Sequence, residues 1–201
     1  MAENIKRKGY GQVEPNHLSG IVEGRIYAQL PAATVTTTTT GEGASAVTTT
    51  TVTPIAQLEQ GQFAKYDYAA GVVNYNGEGE FMLVYNEEKL YDERKQNHKD
   101  FVCRASDFTD GKIYPRLIAT EVGDIITTNT IAVANTSDEA EVVIGTDATL
   151  VVGAYLVPST STGFLTVANN KPNSGMVWKI VQVYKMPDGE NPGFKIQRIQ
   201  W

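Results

Sequence analysis

The chain has 201 residues and a formal net charge of −6, from 17 basic and 23 acidic side chains. Its hydrophobic fraction of 41% and charged fraction of 20% are typical of a globular protein with one sizeable core or two small ones. The acidic balance argues against a general nucleic-acid binder, because neutralising phosphate requires clustered Lys and Arg. The single cysteine, Cys103, excludes an internal disulfide framework. No apolar run of about 18 residues is present, so no membrane association is expected.

Residues 1–20 lack hydrophobic periodicity and contain several glycines and a proline, which predicts an extended N-terminal arm with little structure of its own. A basic patch followed by an aromatic residue lies in this arm: Lys6, Arg7, Lys8 and Tyr10. Two interpretations remain open. In the first, the patch binds an acidic protein groove or a genome. In the second, it is part of a solvated, frayed terminus. In both cases the arm is expected to bury little of the core.

Residues 21–57 combine a first strand candidate, Ile21 to Leu30, with a threonine-rich segment from Thr34 to Thr53. The segment reads TVTTTTTGEGASAVTTTTVT, and its halves mirror each other about a glycine-containing centre. In a hairpin, Val35 would therefore face Val52. Threonine is β-branched and favours extended backbone. The alternative is a disordered loop of low complexity, but the mirrored valines favour a hairpin that projects across a neighbouring subunit.

Residues 58–111 form a block rich in aromatic side chains and glycine turns. A tight turn is predicted at Gly61, and the apolar run from Phe81 to Tyr85 has the length of a buried strand. Asn86 is placed to cap a short helix whose first turn is acidic. The tyrosines of the block are interpreted as a protein interface, with carbohydrate stacking as the alternative. The predicted contact residues of this block are Tyr66, Tyr68, Tyr91 and Arg94.

Residues 112–201 are dominated by short runs of β-branched and aromatic residues bounded by Gly, Pro, Asn, Asp or Ser. The seven runs are 113–120, 125–134, 141–145, 149–157, 163–168, 176–185 and 193–199. Their close spacing, without a helix-length pattern between them, predicts an antiparallel β-sandwich or barrel. The predicted fold class is therefore mainly β, with one short helix after Asn86.

A resemblance to known proteins lies in the order of several segments. These are LEQGQFAKYDYAAG from Leu58, MLVYNEEKLYDER from Met82, KDF from Lys99, VGDIITTN from Val122, and the stretch from MPDG to IQRI near residue 199. They resemble small structural proteins of tailed bacteriophages that associate with the major capsid protein, called head decoration, auxiliary or cement proteins. The resemblance covers most of the chain from about Leu58 onward.

The chain has few residues that could form a catalytic or metal-binding site. The only histidines are His17, in the predicted arm, and His98, in a polar stretch, so neither is expected to serve a catalytic nucleophile. One cysteine and two distant histidines do not make a zinc site. The segment from Asp107 to Gly111 resembles the start of a calcium loop but lacks its regular oxygen ligands. The sequence therefore predicts a protein that is not an enzyme and has no cofactor.

The resemblance implies a virion protein, made in the host cytoplasm, that binds the outside of a phage capsid and stabilises the head lattice. Its expected partners are the major capsid protein and other copies of the chain, with no nucleic acid or membrane. The alternative is a β-sandwich carbohydrate-binding module of a phage fibre or baseplate.

Overall fold

The structure, a computed structural model, describes residues 7, 9–27, 30–85, 102–132, 150–186, 189 and 191–201. Strands dominate these ranges. Helical structure there is confined to the single turn α1 (Ser19–Val22) and two 3-10 turns, Gly43–Ser45 and Ala105–Asp107. The prediction of a mainly β protein with little helix is confirmed. The helix predicted after Asn86 lies outside the described residues.

The strands are numbered in chain order. Their bounds are β1 Val13–His17, β2 Ile26–Tyr27, β3 Ala33–Thr40, β4 Val47–Pro54, β5 Gln57–Glu59, β6 Phe63–Asp67, β7 Val72–Asn74, β8 Met82–Val84, β9 Val102–Arg104, β10 Leu117–Ile118, β11 Ile125–Thr128, β12 Ile131–Ala132, β13 Tyr155–Pro158, β14 Leu165–Ala168, β15 Val177–Lys185 and β16 Pro192–Gln200.

Seven strands form the larger sheet, in the order β1-β11-β16-β15-β13-β14-β12. Neighbours are antiparallel except β12 and β14, which are parallel. Side chains alternate between the faces of β16, so Phe194, Ile196 and Arg198 are buried while the residues between them are partly exposed. Six of the seven strand runs predicted after residue 111 contain strands, and the run 141–145 lies outside the described residues.

Five strands form the smaller sheet, in the order β2-β10-β8-β6-β7. Phe63 of β6 pairs with Leu83 of β8, and both face the larger sheet, where the Phe63 ring lies 5.7 Å from the Trp178 ring. The next pair along, Ala64 and Met82, faces the opposite side and belongs to a second apolar cluster. The alternation of β6 and β8 therefore gives the protein two cores, one on each face of this sheet.

The smaller sheet joins the segments 58–111 and 112–201, which were predicted to be separate units. Leu117 and Ile118 of β10 pair with Val84 and Leu83 of β8. Pairing between strands distant in sequence leaves no mark in the local composition, so the boundary drawn there does not divide the fold.

The N-terminal segment differs most from its expected form. Val13–His17 is an edge strand of the larger sheet, paired with β11, and both Val13 and Leu18 are buried. Gly11 lies so close to the Gln60 carbonyl that a Cβ there would clash with its oxygen. The expectation that this segment buries little of the core is therefore wrong. Among its described residues, Val13 and Leu18 are the two large apolar side chains that are buried, which is too few to produce a visible hydrophobic period.

The first strand predicted, Ile21 to Leu30, is also shorter than expected. Its first two residues belong to α1, and strand β2 is restricted to Ile26–Tyr27. The Asp124 carboxylate accepts hydrogen bonds from the Ser19 backbone N–H at 3.0 Å and from the Ser19 hydroxyl at 2.9 Å, which fixes the start of this turn.

Candidate interaction surfaces

The basic residue of the N-terminal segment that the structure describes, Arg7, points into the protein. Its side chain is 1% exposed and forms an ion pair with Glu59, whose other carboxylate oxygen accepts a hydrogen bond from Gln57 at 3.4 Å. The guanidinium also lies 5.7 Å from the centre of the Phe164 ring. A buried ion pair stacked on an aromatic ring fastens this segment to the body, so Arg7 does not form the exposed contact that was predicted for it.

Tyr10 is half-buried and also packs against the body. Its hydroxyl accepts a hydrogen bond of 2.5 Å from the Arg104 guanidinium, which at the same time lies 5.0 Å from the centre of the tyrosine ring. Its carbonyl accepts a hydrogen bond from Asn129 at 3.4 Å. Tyr10 therefore connects the N-terminal segment to β9 and to the end of β11. Lys6 and Lys8 lie outside the described residues.

The two tyrosines predicted as neighbouring contacts have different environments. Tyr66 is 9% exposed and belongs to the second core, whereas Tyr68 is 67% exposed, with the two rings 5.6 Å apart. Strand β6 ends at Asp67, whose side chain accepts a hydrogen bond from the Ala70 N–H at 3.0 Å. Tyr68 therefore sits in a turn, exposed to solvent. Of these two residues, Tyr68 is the one whose ring is open to a partner.

The remaining predicted contacts of the aromatic block, Tyr91 and Arg94, lie outside the described residues.

The threonine-rich segment forms an antiparallel hairpin, here called the threonine ribbon, consisting of β3, β4 and the turn between them. The predicted register is confirmed, because Val35 pairs with Val52. A positive φ of 95° at Gly41 opens the turn, a conformation that glycine adopts without strain. The Thr39 and Thr48 hydroxyls lie 3.1 Å apart across the strands, so cross-strand threonine contacts support the register.

The root of the ribbon is fixed in the second core. Ala32, just before β3, is buried, forms a bridge with Val73, and donates its N–H to the Ile113 carbonyl at 2.7 Å. On the other side, Ile55 donates its N–H to the Ala32 carbonyl at 3.0 Å. The ribbon therefore leaves the body from a rigid base. Each of its strands has eight residues, which corresponds to a length of about 26 Å.

Beyond this root the ribbon is in solvent on both faces. Every described side chain from Thr34 to Pro54 is exposed except the partly buried Val35. Among the described strands, β4 pairs with β3 alone, so half of its backbone N–H and C=O groups point outward without a strand to receive them. The side chains of β4 include no charge, and the ribbon has one acidic residue, Glu42, in its turn. β4 therefore presents a neutral, unprotected sheet edge.

A groove is lined by residues of both sheets, and we call it the aromatic groove. It has a volume of about 330 Å³, and its lining includes Lys65, Glu80, Phe81, Pro158, Ser174, Met176, Arg198 and Trp201. Trp201 is 57% exposed, and its ring centre lies 4.7 Å from the Arg198 guanidinium. The Lys65 ammonium lies 4.5 Å from the centre of the Phe81 ring. Each aromatic ring of the groove thus has a cation beside it.

Arg198 is the most deeply buried charge of this groove, at 1% exposure. Its Nη1 donates to the Thr120 carbonyl and hydroxyl, and its Nε donates to the Gln200 carbonyl at 3.3 Å. Burial lowers the pKa of the guanidinium, and the nearby carboxylates of Glu80, Asp124 and Glu121 act in the opposite direction. Arginine stays protonated in proteins, so a fixed positive charge stands at the base of the groove.

Cys103 is not suited to nucleophilic chemistry. Burial, and secondarily the negative charge of Asp107, raises the pKa of its thiol to about 11. At neutral pH the reactive thiolate is therefore scarce. Within the described ranges, no group of three or more His, Cys, Asp and Glu side chains is arranged to hold a metal ion. In the same part of the chain, no helix has the length and apolar character needed to cross a membrane.

Comparisons with protein-family models, with curated proteins and with solved structures found no match for this chain. The partners of the ribbon and the groove are therefore inferred from the residues that form these two surfaces.

Proposed function

We propose that this chain is a structural component of a tailed-phage head that binds the outside of the capsid and reinforces its lattice. The resemblance of the segments from Leu58 onward supports this function, and so does the mainly β body. In this proposal the protein has no catalytic role, resides in the virion, and has the major capsid protein as its partner, with contacts between its own copies as well.

The single observation that carries the proposal is the unprotected edge of β4. A two-stranded hairpin is marginally stable by itself in water. Exposed edges in natural proteins usually carry lysine, proline or a bulge that prevents pairing with other chains. The eight residues of β4 have no charge or bulge, and their one proline, Pro54, stands at the end of the strand. Such an edge favours addition of a strand from a partner, in which main-chain hydrogen bonds provide the affinity.

Stabilisation of the shell then follows from mass action. A protein that binds the assembled lattice better than free capsid subunits shifts the equilibrium towards the lattice, and the effect is repeated at every site. A specific contact of this kind buries about 1,600 Å² in total. A ribbon about 26 Å long and the exposed Tyr68 together extend the contact beyond the body. The net charge of −6 suits the outer surface, since an inner lining would meet packaged DNA.

Co-sedimentation with empty phage capsids tests the proposal. Wild-type protein is compared with a short-ribbon variant in which residues 36–51 are replaced by Asn-Gly. Because Val35 and Val52 are directly paired, this two-residue turn closes the hairpin without disturbing its root. We expect saturable binding of the wild type and at least tenfold weaker binding of the variant. No binding of the wild type, or equal binding of both, would refute this role of the ribbon.

A matched pair of substitutions tests whether the capsid binds the β4 edge or a face of the ribbon. Thr51 of β4 pairs directly with Thr36 of β3, so both side chains project from the same face of the ribbon. A lysine on a free edge hinders strand addition. We therefore expect Thr51→Lys to weaken capsid binding more than Thr36→Lys does. Equal weakening by the two would mean that the partner does not select the β4 edge, because it covers the face of the ribbon or also pairs with the outer edge of β3.

A further inference from the structure

The aromatic groove is a second surface whose chemistry the ribbon does not explain. Its walls come from distant parts of the chain: Lys65 from β6, Phe81 from the segment before β8, Pro158 from β13, and Arg198 from β16. The Gln200 side chain donates to the Pro172 carbonyl at 3.1 Å and so holds the adjoining loop in place. The groove is therefore a preformed feature of the body.

The exposed face of Trp201 is the main apolar element of the groove. With one side of the ring near the Arg198 guanidinium, an exposure of 57% leaves much of the indole open to a ligand. The buried residues Met176 and Pro158 add further apolar lining to the groove. An aromatic platform of this kind accepts a flat apolar surface that also has polar edges.

Hydrogen-bonding groups of both kinds surround this platform. Lys65 and Arg198 donate, Glu80 accepts, and the exposed Ser174 does either. The hydrogen bonds of Arg198 use Nη1, which has two acceptors on Thr120, and Nε, which has one on Gln200. A ligand matched to these groups must itself offer donors and acceptors next to an apolar face.

The charges around the groove favour a neutral ligand over an anion. Lys65 and Arg198 line it together with Glu80. The nearest further charges acting on Arg198 are those of Asp124, Glu121 and Arg25. The charges of these three cations and three carboxylates therefore sum to zero. An anion would gain little from this balanced set, whereas hydroxyl groups would gain charge-assisted hydrogen bonds from both signs.

We propose that the aromatic groove binds one ring of a neutral saccharide, with a C–H face of the sugar on Trp201 and its hydroxyls bonded to Arg198, Lys65 and Glu80. Sugars combine an apolar face with a rim of hydroxyls that both donate and accept. The volume of about 330 Å³ is at the lower end of the range for small-molecule sites and suits a single ring. This site is separate from the capsid-binding ribbon and does not depend on it.

The two tryptophans of the chain provide a direct assay. Trp178 is fully buried, so acrylamide quenches mainly the fluorescence of Trp201. The full-length protein is titrated with the methyl glycosides of glucose, galactose, mannose and N-acetylglucosamine, and with glucuronate as the acidic comparator. We expect saturable protection from quenching by at least one neutral sugar in about the millimolar range, and at least tenfold weaker protection by glucuronate.

Variants locate the binding by ligand-observed NMR, which does not need the tryptophan signal. Trp201→Ala and Glu80→Gln are each expected to weaken binding at least fivefold. Phe108→Ala removes another exposed aromatic side chain that does not line the groove and should bind as the wild type does. The proposal is overturned if no neutral sugar protects Trp201 up to about 100 mM. Preference for glucuronate, or unchanged binding by Trp201→Ala, also overturns it. Capsid co-sedimentation of the same variants should be unaffected.

Discussion

Truncation of Tyr66 and of Tyr68 should have opposite consequences, although the two residues are neighbours in sequence and in space. Tyr66 is 9% exposed and packs in the second core, so Tyr66→Ala removes a buried ring and leaves a cavity. Burial of this kind makes aromatic-to-Ala changes cost about 3–5 kcal/mol. For a chain of this size, that corresponds to a fall in Tm on the order of 10 °C.

Tyr68 is 67% exposed, and its ring lies 5.6 Å from the Tyr66 ring. Loss of such a ring pair costs at most about 1.5 kcal/mol. Tyr68→Ala should therefore keep the fold while weakening capsid attachment. Tyr66→Phe is the control for the hydroxyl, because it retains the packed ring.

Urea unfolding followed by circular dichroism, read beside capsid co-sedimentation, measures both effects. Tyr66→Ala should lose stability clearly, and Tyr68→Ala should lose much less. If both variants were equally stable and both bound capsids poorly, Tyr66 would be a contact residue and its assignment to the core would be wrong.

Three further predictions concern other parts of the molecule. Arg7→Ala should lower the free energy of unfolding in urea by about 3–5 kcal/mol, because Glu59 is left as a buried, unpaired charge. Combining Arg7→Met with Glu59→Leu should recover most of this loss. An unchanged free energy of unfolding for Arg7→Ala would show that the ion pair does not form. Alkylation of Cys103 by iodoacetamide should accelerate as the pH rises towards about 11. Asp107→Asn should shift this increase in rate to lower pH. Full reactivity near neutral pH would contradict the burial of the thiol. The short-ribbon variant should keep its free energy of unfolding within about 0.5 kcal/mol of the wild type, and a larger loss would mean that the ribbon packs on the body.

The sequence predicts the ribbon well because the residues that determine it are close together in the chain. The mirrored valines Val35 and Val52 and the glycines between them determine both the turn and the register. The strands after residue 111 are likewise predicted by short β-branched runs between turn residues. The prediction of a buried strand in the run from Phe81 to Tyr85 is also confirmed, since β8 is Met82–Val84 and is buried throughout.

The features that the sequence does not predict depend on contacts between distant segments. Strand β1 has only Val13 facing inward, so its pairing with β11 leaves no period to detect. The ion pair of Arg7 joins residues 52 positions apart. For the tyrosines a local signal does exist. Asp67 followed by Ala-Ala-Gly marks the end of β6 and separates the buried Tyr66 from Tyr68 in the turn. The aromatic groove has no such signal, because four separate strand regions build it.

Hydrogen–deuterium exchange of the ribbon, measured for the free protein and for protein bound to empty capsids, tests attachment through β4 most directly. In the free protein the outward-facing amides of Val47–Pro54 have no strand to bond, so they should exchange rapidly. On capsids, addition of a partner strand should slow the exchange of these amides strongly while the strands of the larger sheet remain as they were. Binding to capsids with unchanged exchange in this segment, or no binding at all, would contradict the proposed attachment.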